Sequence, residues 1–145
     1  NNFKYKLGAT VNLHFTNLTS WHKDLPNGVR EHFGLIASTI AKLADEGVEA
    51  QSIDIIYSQC AAYFDANIDL FIGQSARMLR RSKNGGLLVF NGKTEENEKI
   101  IRAAQANGFR LLANKHLGGM NGIFYVLKLN IPEPICPKEM FPICR

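Results

Sequence analysis

The chain has 145 residues, enough for one domain with a buried core, and 46% hydrophobic with 21% charged residues is ordinary for a folded globular protein. No apolar run reaches the about 18 residues that a membrane-spanning helix needs. The formal net charge of +4 is too small to indicate nucleic-acid binding by itself. The amino terminus lacks a signal-peptide pattern, and we expect Asn1 to be a boundary inside a longer polypeptide.

Cysteine and histidine contents argue against two further classes of protein. Cys60, Cys136 and Cys144 are too few and too scattered for a disulfide framework, so we expect reduced thiols and a cytoplasmic location. Neither these cysteines nor the four histidines have the paired spacing of zinc ligands. The sequence therefore predicts no metal site.

The first third of the chain predicts a strand and a helix. Val11–Thr16 alternates apolar and polar residues, as a half-buried strand does. After a polar connection, apolar residues recur at spacings of four and three and predict a helix from Val29 to Glu46 that ends at Gly47. The predicted buried stripe of this helix consists of Val29, Phe33, Ile36, Ile40 and Leu43.

The remainder continues the alternation of strands and helices. Predicted strands are Ile53–Tyr57, Leu87–Phe90, Phe109–Ala113 and Ile123–Leu129. One helix, with an apolar face from Ile68 to Leu79, is predicted to end at Asn84-Gly85-Gly86. A second is predicted to begin with Thr94 as its N-cap and to end at Gly108. The order β-α-β-α-β-α-β-β predicts an α/β domain over residues 1–131 with a mainly parallel sheet and a final antiparallel strand. Four prolines make residues 132–145 a tail or linker.

Four segments in this order resemble the class I S-adenosylmethionine-dependent methyltransferases. Ile53–Gln59, with an acid at the start and polar residues at the end, resembles the family's fourth strand. Ala76–Leu79 followed by Gly85–Val89 resembles its helix and fifth strand, and Ala106–Phe109 resembles the step into its sixth strand. The resemblance covers about half of the chain and corresponds to the carboxyl-terminal half of the family's domain. It implies a three-layer Rossmann-like sheet whose final strand is inserted beside the fifth.

The resemblance also implies a cofactor, S-adenosylmethionine, and a site for it. Ser58, Gln59, Cys60 and Tyr63 stand at the tip of the fourth strand, where Ser58 and Gln59 would bind the amino-acid end of the cofactor and Tyr63 would wall the methyl-transfer site. Asn17 and Leu18 stand where the family often holds the adenine ring. No catalytic residue and no methyl acceptor is implied. The same tip residues also suit an ordinary strand end followed by capping and packing residues.

Important parts of the family pattern have no counterpart here. The first strand, its glycine-rich loop and the ribose-binding acid of the second strand are missing, and Gly8 is isolated. Close approach of the backbone to a cofactor needs such a loop. Either an upstream part of the same polypeptide supplies it, or the domain is a non-catalytic scaffold or interaction module within a larger protein.

A basic cluster admits two interpretations. It comprises Arg77, Arg80, Arg81, Lys83 and Lys93. Cations near the end of a helix commonly complement the negative end of its dipole, and this is the plainer interpretation. The alternative is a patch that binds a polyanion such as nucleic acid.

Overall fold

The computed structural model describes residues 11–17 and 24–131, which form a mixed α/β fold with two sheets. The strands are β1 (Leu13–Asn17), β2 (Val29–Phe33), β3 (Ile55–Ser58), β4 (Leu87–Gly92), β5 (Phe109–His116) and β6 (Ile123–Leu129). The helices are α1 (Ile68–Met78) and α2 (Asn97–Ala106), with 3-10 segments at Ala37–Glu46, Thr94–Glu96 and Gly119–Asn121.

The larger sheet has four strands in the order β3-β4-β6-β5. β3 and β4 pair in parallel, with Ile56 opposite Leu88, which confirms the predicted adjacency of these strands. β6 runs antiparallel to both β4 and β5, so the last strand is inserted between them. This confirms the predicted antiparallel ending. β3, β4 and β5 consequently share one direction, and β6 opposes them.

The helices form a single layer on one face of this sheet. α1 packs against the 3-10 segment Ala37–Glu46 on one side and against α2 on the other. The sheet face that packs against these helices carries buried side chains, among them Ile56, Leu88, Phe90, Tyr125 and Leu127. On the opposite face Ile55 and Tyr57 are 58% and 62% exposed. Over the described residues the expected three layers are therefore two.

Aromatic rings fill the centre of the core. Phe71 of α1 meets Phe90 of β4 edge to face at a centroid distance of 5.6 Å, and Phe90 stacks on Tyr125 of β6 at 5.2 Å. All three side chains are essentially inaccessible to solvent. Such pairs add about 0.5–1.5 kcal/mol each beyond the burial of their area. This core fixes the positions of β3, β4 and β6 relative to α1.

The predicted helix from Val29 was wrong over its first eight residues. Val29–Phe33 is instead strand β2, paired in parallel with β1 in a separate two-stranded sheet. Gly34, at φ +74°, follows the strand, and helical structure begins only at Ala37. Phe33 is 49% exposed, whereas Ile40 and Leu43 are buried as predicted. The end at Gly47 is confirmed, with φ +88° and its N–H bonded to the carbonyl groups of Leu43 and Ala44.

Two other helix ends differ from prediction. α1 ends at Met78, and Leu79 is already extended because it forms a parallel bridge to Ile53. Thr94 begins a 3-10 turn without capping a helix through its side chain, and α2 begins at Asn97. Gly108, at φ +81°, follows the end of α2 as predicted.

Two findings concern regions away from the sheet. Within residues 11–17 and 24–131, every helix is too short or too polar to cross a membrane. The predicted tail at 132–145 lies outside the described residues.

Candidate cofactor-binding edge

The carboxyl end of β3 leads into a tight turn that contains four of the predicted site residues, Ser58, Gln59, Cys60 and Tyr63. Cys60 has φ +69°, a left-handed conformation that costs a non-glycine residue about 1–2 kcal/mol. Such strain persists only where surrounding contacts enforce it. The turn is therefore a fixed feature of the edge.

Hydrogen bonds within the turn enforce this conformation. The backbone N–H of Ala62 donates to Ser58 Oγ over 3.0 Å, and the N–H of Phe64 donates to the carbonyl oxygen of Cys60 over 3.2 Å. Ala62 is completely buried, which anchors the middle of the turn in the core. Ser58 thus acts as a local cap, while its hydroxyl hydrogen stays available to a ligand.

Asn91, near the end of β4, connects the turn to the neighbouring connection between β5 and β6. Its Oδ1 accepts a hydrogen bond from the backbone N–H of Cys60 over 2.8 Å, and its Nδ2 donates to the carbonyl oxygen of Asn121 over 3.2 Å. The side chain is only 5% exposed. A buried amide with both ends satisfied holds two loops in fixed register. The Asn91 side chain, with its hydrogen bonds to Cys60 and Asn121, forms an amide clamp.

Tyr63 forms an aromatic wall beside this amide clamp. The Lys93 ammonium group lies 5.9 Å from the centroid of the Tyr63 ring, and Phe64 meets the ring edge to face at 4.9 Å. A Cβ added at Gly122 would lie 3.0 Å from Tyr63 Cε2 and would overlap the carbonyl oxygen of Gly92. Gly122 therefore permits the close contact between this loop, the end of β4 and the Tyr63 ring.

Gln59 is the most accessible polar side chain among the predicted site residues of the turn. It is exposed, and its Oε1 accepts a hydrogen bond from the Tyr57 hydroxyl over 3.1 Å. Its amide nitrogen keeps two donors, which suits a carboxylate. Cys60 is partly accessible and has a free thiol.

An acid that the sequence analysis did not select fastens the turn to its surroundings. Asp65 accepts hydrogen bonds from the backbone N–H groups of Asn67 and Ser38, both over 2.9 Å. Burial acts to raise the pKa of Asp65, but these hydrogen bonds outweigh it and hold the pKa below its ordinary value. The carboxylate thus ties the turn to the 3-10 segment that packs on α1.

The remaining predicted residues are not brought to this turn by a shared sheet. Asn17 ends β1, which pairs with β2 rather than with β3, and its carbonyl oxygen accepts a hydrogen bond from the N–H of Gly34. Leu18 lies outside the described residues. The expected meeting of Asn17 and Leu18 with the turn therefore stays a prediction.

A second polar cluster lies on the two-stranded sheet. The buried His32 bonds through Nδ1 to the carboxylate of Glu46 and through Nε2 to His14 Nδ1, 2.9 Å away. Burial, followed by His32 and Arg30, lowers the pKa of His14. No set of three ligating side chains suited to a metal ion occurs among residues 11–17 and 24–131.

Asn91 and Asp65 are the residues of this edge that sequence reasoning missed. Asn91 interrupts the apolar β4 at the point where the strand ends, which is a usable sign of a polar edge. Asp65 lies three residues before α1, and no sequence pattern singled it out. Asn91 bonds to Cys60 and Asn121, and Asp65 bonds to Ser38. Each of these partners is 27 or more residues away in sequence, so only the fold identifies the contacts.

Comparison with known proteins adds a similarity of fold. No protein-family model matches the chain, and no curated protein matches it by sequence. Among solved structures, it is similar to an arsenic(III) S-adenosylmethionine methyltransferase from Chlamydomonas reinhardtii, with a TM-score of 0.51 and 16% identity. The match covers 74% of this chain and 46% of that one, so the chain spans less than half of that protein's length. At this identity the likeness supports a methyltransferase-like fold and nothing finer.

Proposed function

We propose that these residues belong to an S-adenosylmethionine-dependent methyltransferase domain and form its carboxyl-terminal half. The observation that carries the proposal is the sheet order β3-β4-β6-β5, with the last strand antiparallel and inserted between β4 and β5. This is the strand arrangement that the family resemblance implies. The fold likeness to an S-adenosylmethionine methyltransferase supports the same assignment.

In this proposal the turn after β3 holds the amino-acid end of the cofactor. Parallel strands leave backbone and side-chain groups free beyond their carboxyl ends, and ligands bind there. The exposed amide of Gln59 and the Ser58 hydroxyl hydrogen are donors for the cofactor's carboxylate, with Cys60 beside them and Tyr63 as the wall. Asn17 and Leu18 are the proposed adenine contacts.

The contribution of the protein to methyl transfer is positioning. Bound S-adenosylmethionine supplies an activated methyl group, and the rigid turn holds the cofactor in one orientation and excludes water from one side of it. The clamp formed by Asn91 and the strained Cys60 make this edge stiff before any ligand arrives. We assign no catalytic acid or base and no methyl acceptor.

The rest of the domain is proposed to come from an upstream part of the same polypeptide. β3 is an edge strand of the sheet, and Ile55 and Tyr57 expose apolar surface beside it. The unpaired backbone groups of an edge strand, and exposed apolar side chains on its face, are commonly covered in folded proteins. A further parallel strand with its glycine-rich loop would cover β3, and its helices would supply the third layer.

A non-catalytic scaffold or interaction module is the second candidate. It is favoured by the internal use of polar groups at the turn, because the N–H of Cys60, both ends of the Asn91 amide and the acceptor side of Ser58 already have partners. A structural turn needs these contacts with or without a cofactor. The two candidates therefore differ in ligand binding and not in fold.

Isothermal titration of the full-length natural polypeptide with S-adenosylhomocysteine distinguishes them. We expect saturable binding, and at a ligand concentration of about 100 times Kd the free energy of unfolding should rise by about 2.7 kcal/mol. The 145-residue chain should bind far more weakly, because the glycine-rich loop is missing from it. A folded full-length protein that does not bind would refute the enzyme and favour the scaffold.

Two variants locate the binding site. Gln59→Ala should weaken binding about tenfold, the equivalent of one hydrogen bond to a charged group, with little loss of stability. Gln105→Ala, at an exposed position of α2, is the matched control and should change neither property. Tyr63→Ala should likewise reduce affinity more than stability. A loss of about 3–5 kcal/mol of stability with unchanged affinity would instead make Tyr63 a core residue.

A further inference from the structure

An open depression of about 470 Å³ lies near the amino ends of the parallel strands, whereas the proposed cofactor site lies at their carboxyl ends. It is formed where α1 and α2 end, beside the chain that leads into β3. Arg77 and Arg81 supply its positive charge, and Gln51 and Asn107 supply side-chain amides. Gly73 leaves space in the wall of the depression, because a Cβ at this position would lie 3.4 Å from Asn107 Oδ1.

Neither of the two guanidinium groups forms a salt bridge with a carboxylate of the described residues. In the part of the chain that the structure describes, the salt bridges are His32–Glu46, Arg80–Asp54 and Lys99–Asp69. Asp54 therefore pairs with Arg80 of the basic cluster and leaves Arg77 and Arg81 without an anionic partner. Arg81 donates from Nη1 to the carbonyl oxygen of Asn130 over 3.3 Å. A guanidinium group has five N–H donors, so most of those on Arg81 remain available.

The ends of the two helices do not need these cations as caps. At the end of α1, the backbone N–H groups of Gln51 and Ser52 bond to the carbonyl oxygens of Arg77 and Met78, each over 3.1 Å. At the end of α2, the N–H groups of Asn107 and Gly108 bond to carbonyl oxygens of the last turn. The two arginines are therefore not required as caps of the helix ends, and the plainer interpretation of the basic cluster is reduced to the dipoles of these ends, which offset only part of the arginine charge.

The electrostatic balance at the depression is positive. Two helix carboxyl ends contribute about −0.5 charge each, against two full positive charges on arginine. About one positive charge is left for a ligand. Gln51 at the rim has φ +58°, a strained conformation for a non-glycine residue and the same type that Cys60 shows at the other edge.

We propose that this depression binds a phosphate group. Planar guanidinium groups match phosphate oxygens in pairs. The Gln51 amide supplies further N–H donors, whereas Asn107 Nδ2 donates to the carbonyl oxygen of Ala103 over 2.8 Å and keeps one N–H for a ligand. The phosphate belongs either to a small polyphosphate or to the backbone of a single-stranded nucleic acid. This site goes beyond the proposed methyltransferase function, because its residues lie away from the turn after β3.

The experiment titrates the full chain with inorganic tripolyphosphate and, separately, with a labelled single-stranded RNA oligonucleotide. We expect saturable binding of at least one probe. Arg77→Gln should weaken it about tenfold, as loss of a charge-assisted hydrogen bond does. Arg102→Gln, at an exposed position of α2 outside the depression, changes the net charge equally and should alter affinity by less than about twofold.

The two probes identify the source of the phosphate. Tighter binding of RNA, with a salt dependence whose slope falls by about 0.7 on Arg77→Gln, indicates a nucleic-acid backbone. Preference for tripolyphosphate indicates a small ligand. Absence of saturable binding of either probe overturns the proposal, as does equal weakening by Arg77→Gln and Arg102→Gln. Thermal unfolding of both variants verifies that they remain folded.

Discussion

The two ends of β3 are built from different interactions. At the carboxyl end, the buried amide of Asn91 and the hydroxyl of Ser58 close the turn through neutral hydrogen bonds, and Gly122 lies close to Gly92 and to the Tyr63 ring. At the amino end, Asp54 forms a 3.2 Å ion pair with Arg80 in which both side chains are more than half exposed. Buried amide contacts are costly to break, whereas exposed ion pairs contribute about 0–1 kcal/mol. The rigid carboxyl end of β3 therefore suits a ligand held in one orientation, and the amino end retains cationic charge for binding.

The close contact at the carboxyl end gives the largest expected effect. Gly122→Ala places a methyl group against the carbonyl oxygen of Gly92 at φ +61°, so the loop or strand has to move. We expect a loss of about 3–5 kcal/mol of unfolding free energy, from overpacking and backbone strain together. Gly119→Ala, at φ +55° with no atom near the added Cβ, is the control and should cost only about 1 kcal/mol. Equal losses in chemical denaturation would show that the contact contributes nothing.

Removal of the amide clamp should have the next largest effect. Asn91→Ala leaves the backbone N–H of Cys60 and the carbonyl oxygen of Asn121 without their partner. We expect urea denaturation to show a loss of about 2–4 kcal/mol. Asn114→Ala, on the exposed edge strand β5, should change stability by less than about 0.5 kcal/mol. A mild effect of Asn91→Ala would mean that the turn is held without it.

Acid should weaken the carboxyl end through Asp65. The pKa of this group is lowered on folding, so its contribution to stability is present above the unfolded value of about 3.9 and is lost as the pH falls below that value. We expect Asp65→Asn to reduce stability by about 1–2 kcal/mol at pH 7. The difference from the unmodified protein should shrink towards pH 3. A difference independent of pH would exclude the carboxylate charge as its source.

The smallest effect is expected at the amino end. Arg80→Gln removes the ion pair with Asp54 and a 3.2 Å hydrogen bond to the carbonyl oxygen of Ser52, both at exposed positions. We expect a change below about 1 kcal/mol that decreases further in concentrated salt. Thermal unfolding at low and high ionic strength measures it. A loss as large as that of Asn91→Ala would remove the contrast between the two ends.

The second half of the fold could be predicted because its local patterns agree with one another. Apolar β3 and β4 flank a helix with one apolar face, and glycines stand at the turns, so periodicity and turn chemistry point to the same elements. The insertion of β6 beside β4 followed from the family resemblance and from its short connection. The strand before the proposed site was predicted to end at Tyr57 and ends at Ser58, because its apolar run stops there. The role of Ser58–Tyr63 as a cofactor edge stays a prediction.

The first half could not be predicted in the same way. Val29 and Phe33 are four residues apart, a spacing that fits a helix and also the two ends of a five-residue strand. Gly34 in a left-handed conformation and pairing with β1 decided in favour of the strand. The hydrogen bonds of Asn91 and Asp65 depend on loops that are distant in sequence. Whether Arg77 has a salt-bridge partner depends on the ion pair between Arg80 and Asp54. None of these relations has a local signature.

Hydrogen exchange of the full-length polypeptide with and without S-adenosylhomocysteine tests whether the carboxyl end of β3 is the cofactor site. We expect the ligand to slow exchange of the backbone amides in the turn Gln59–Asp65, because the cofactor contacts this turn and binds only the folded state. The amides of Leu79–Ser82, at the other end of β3, should exchange at unchanged rates. Protection confined to other segments at saturating ligand, with the turn unaffected, would contradict the assignment of the carboxyl edge as the cofactor site.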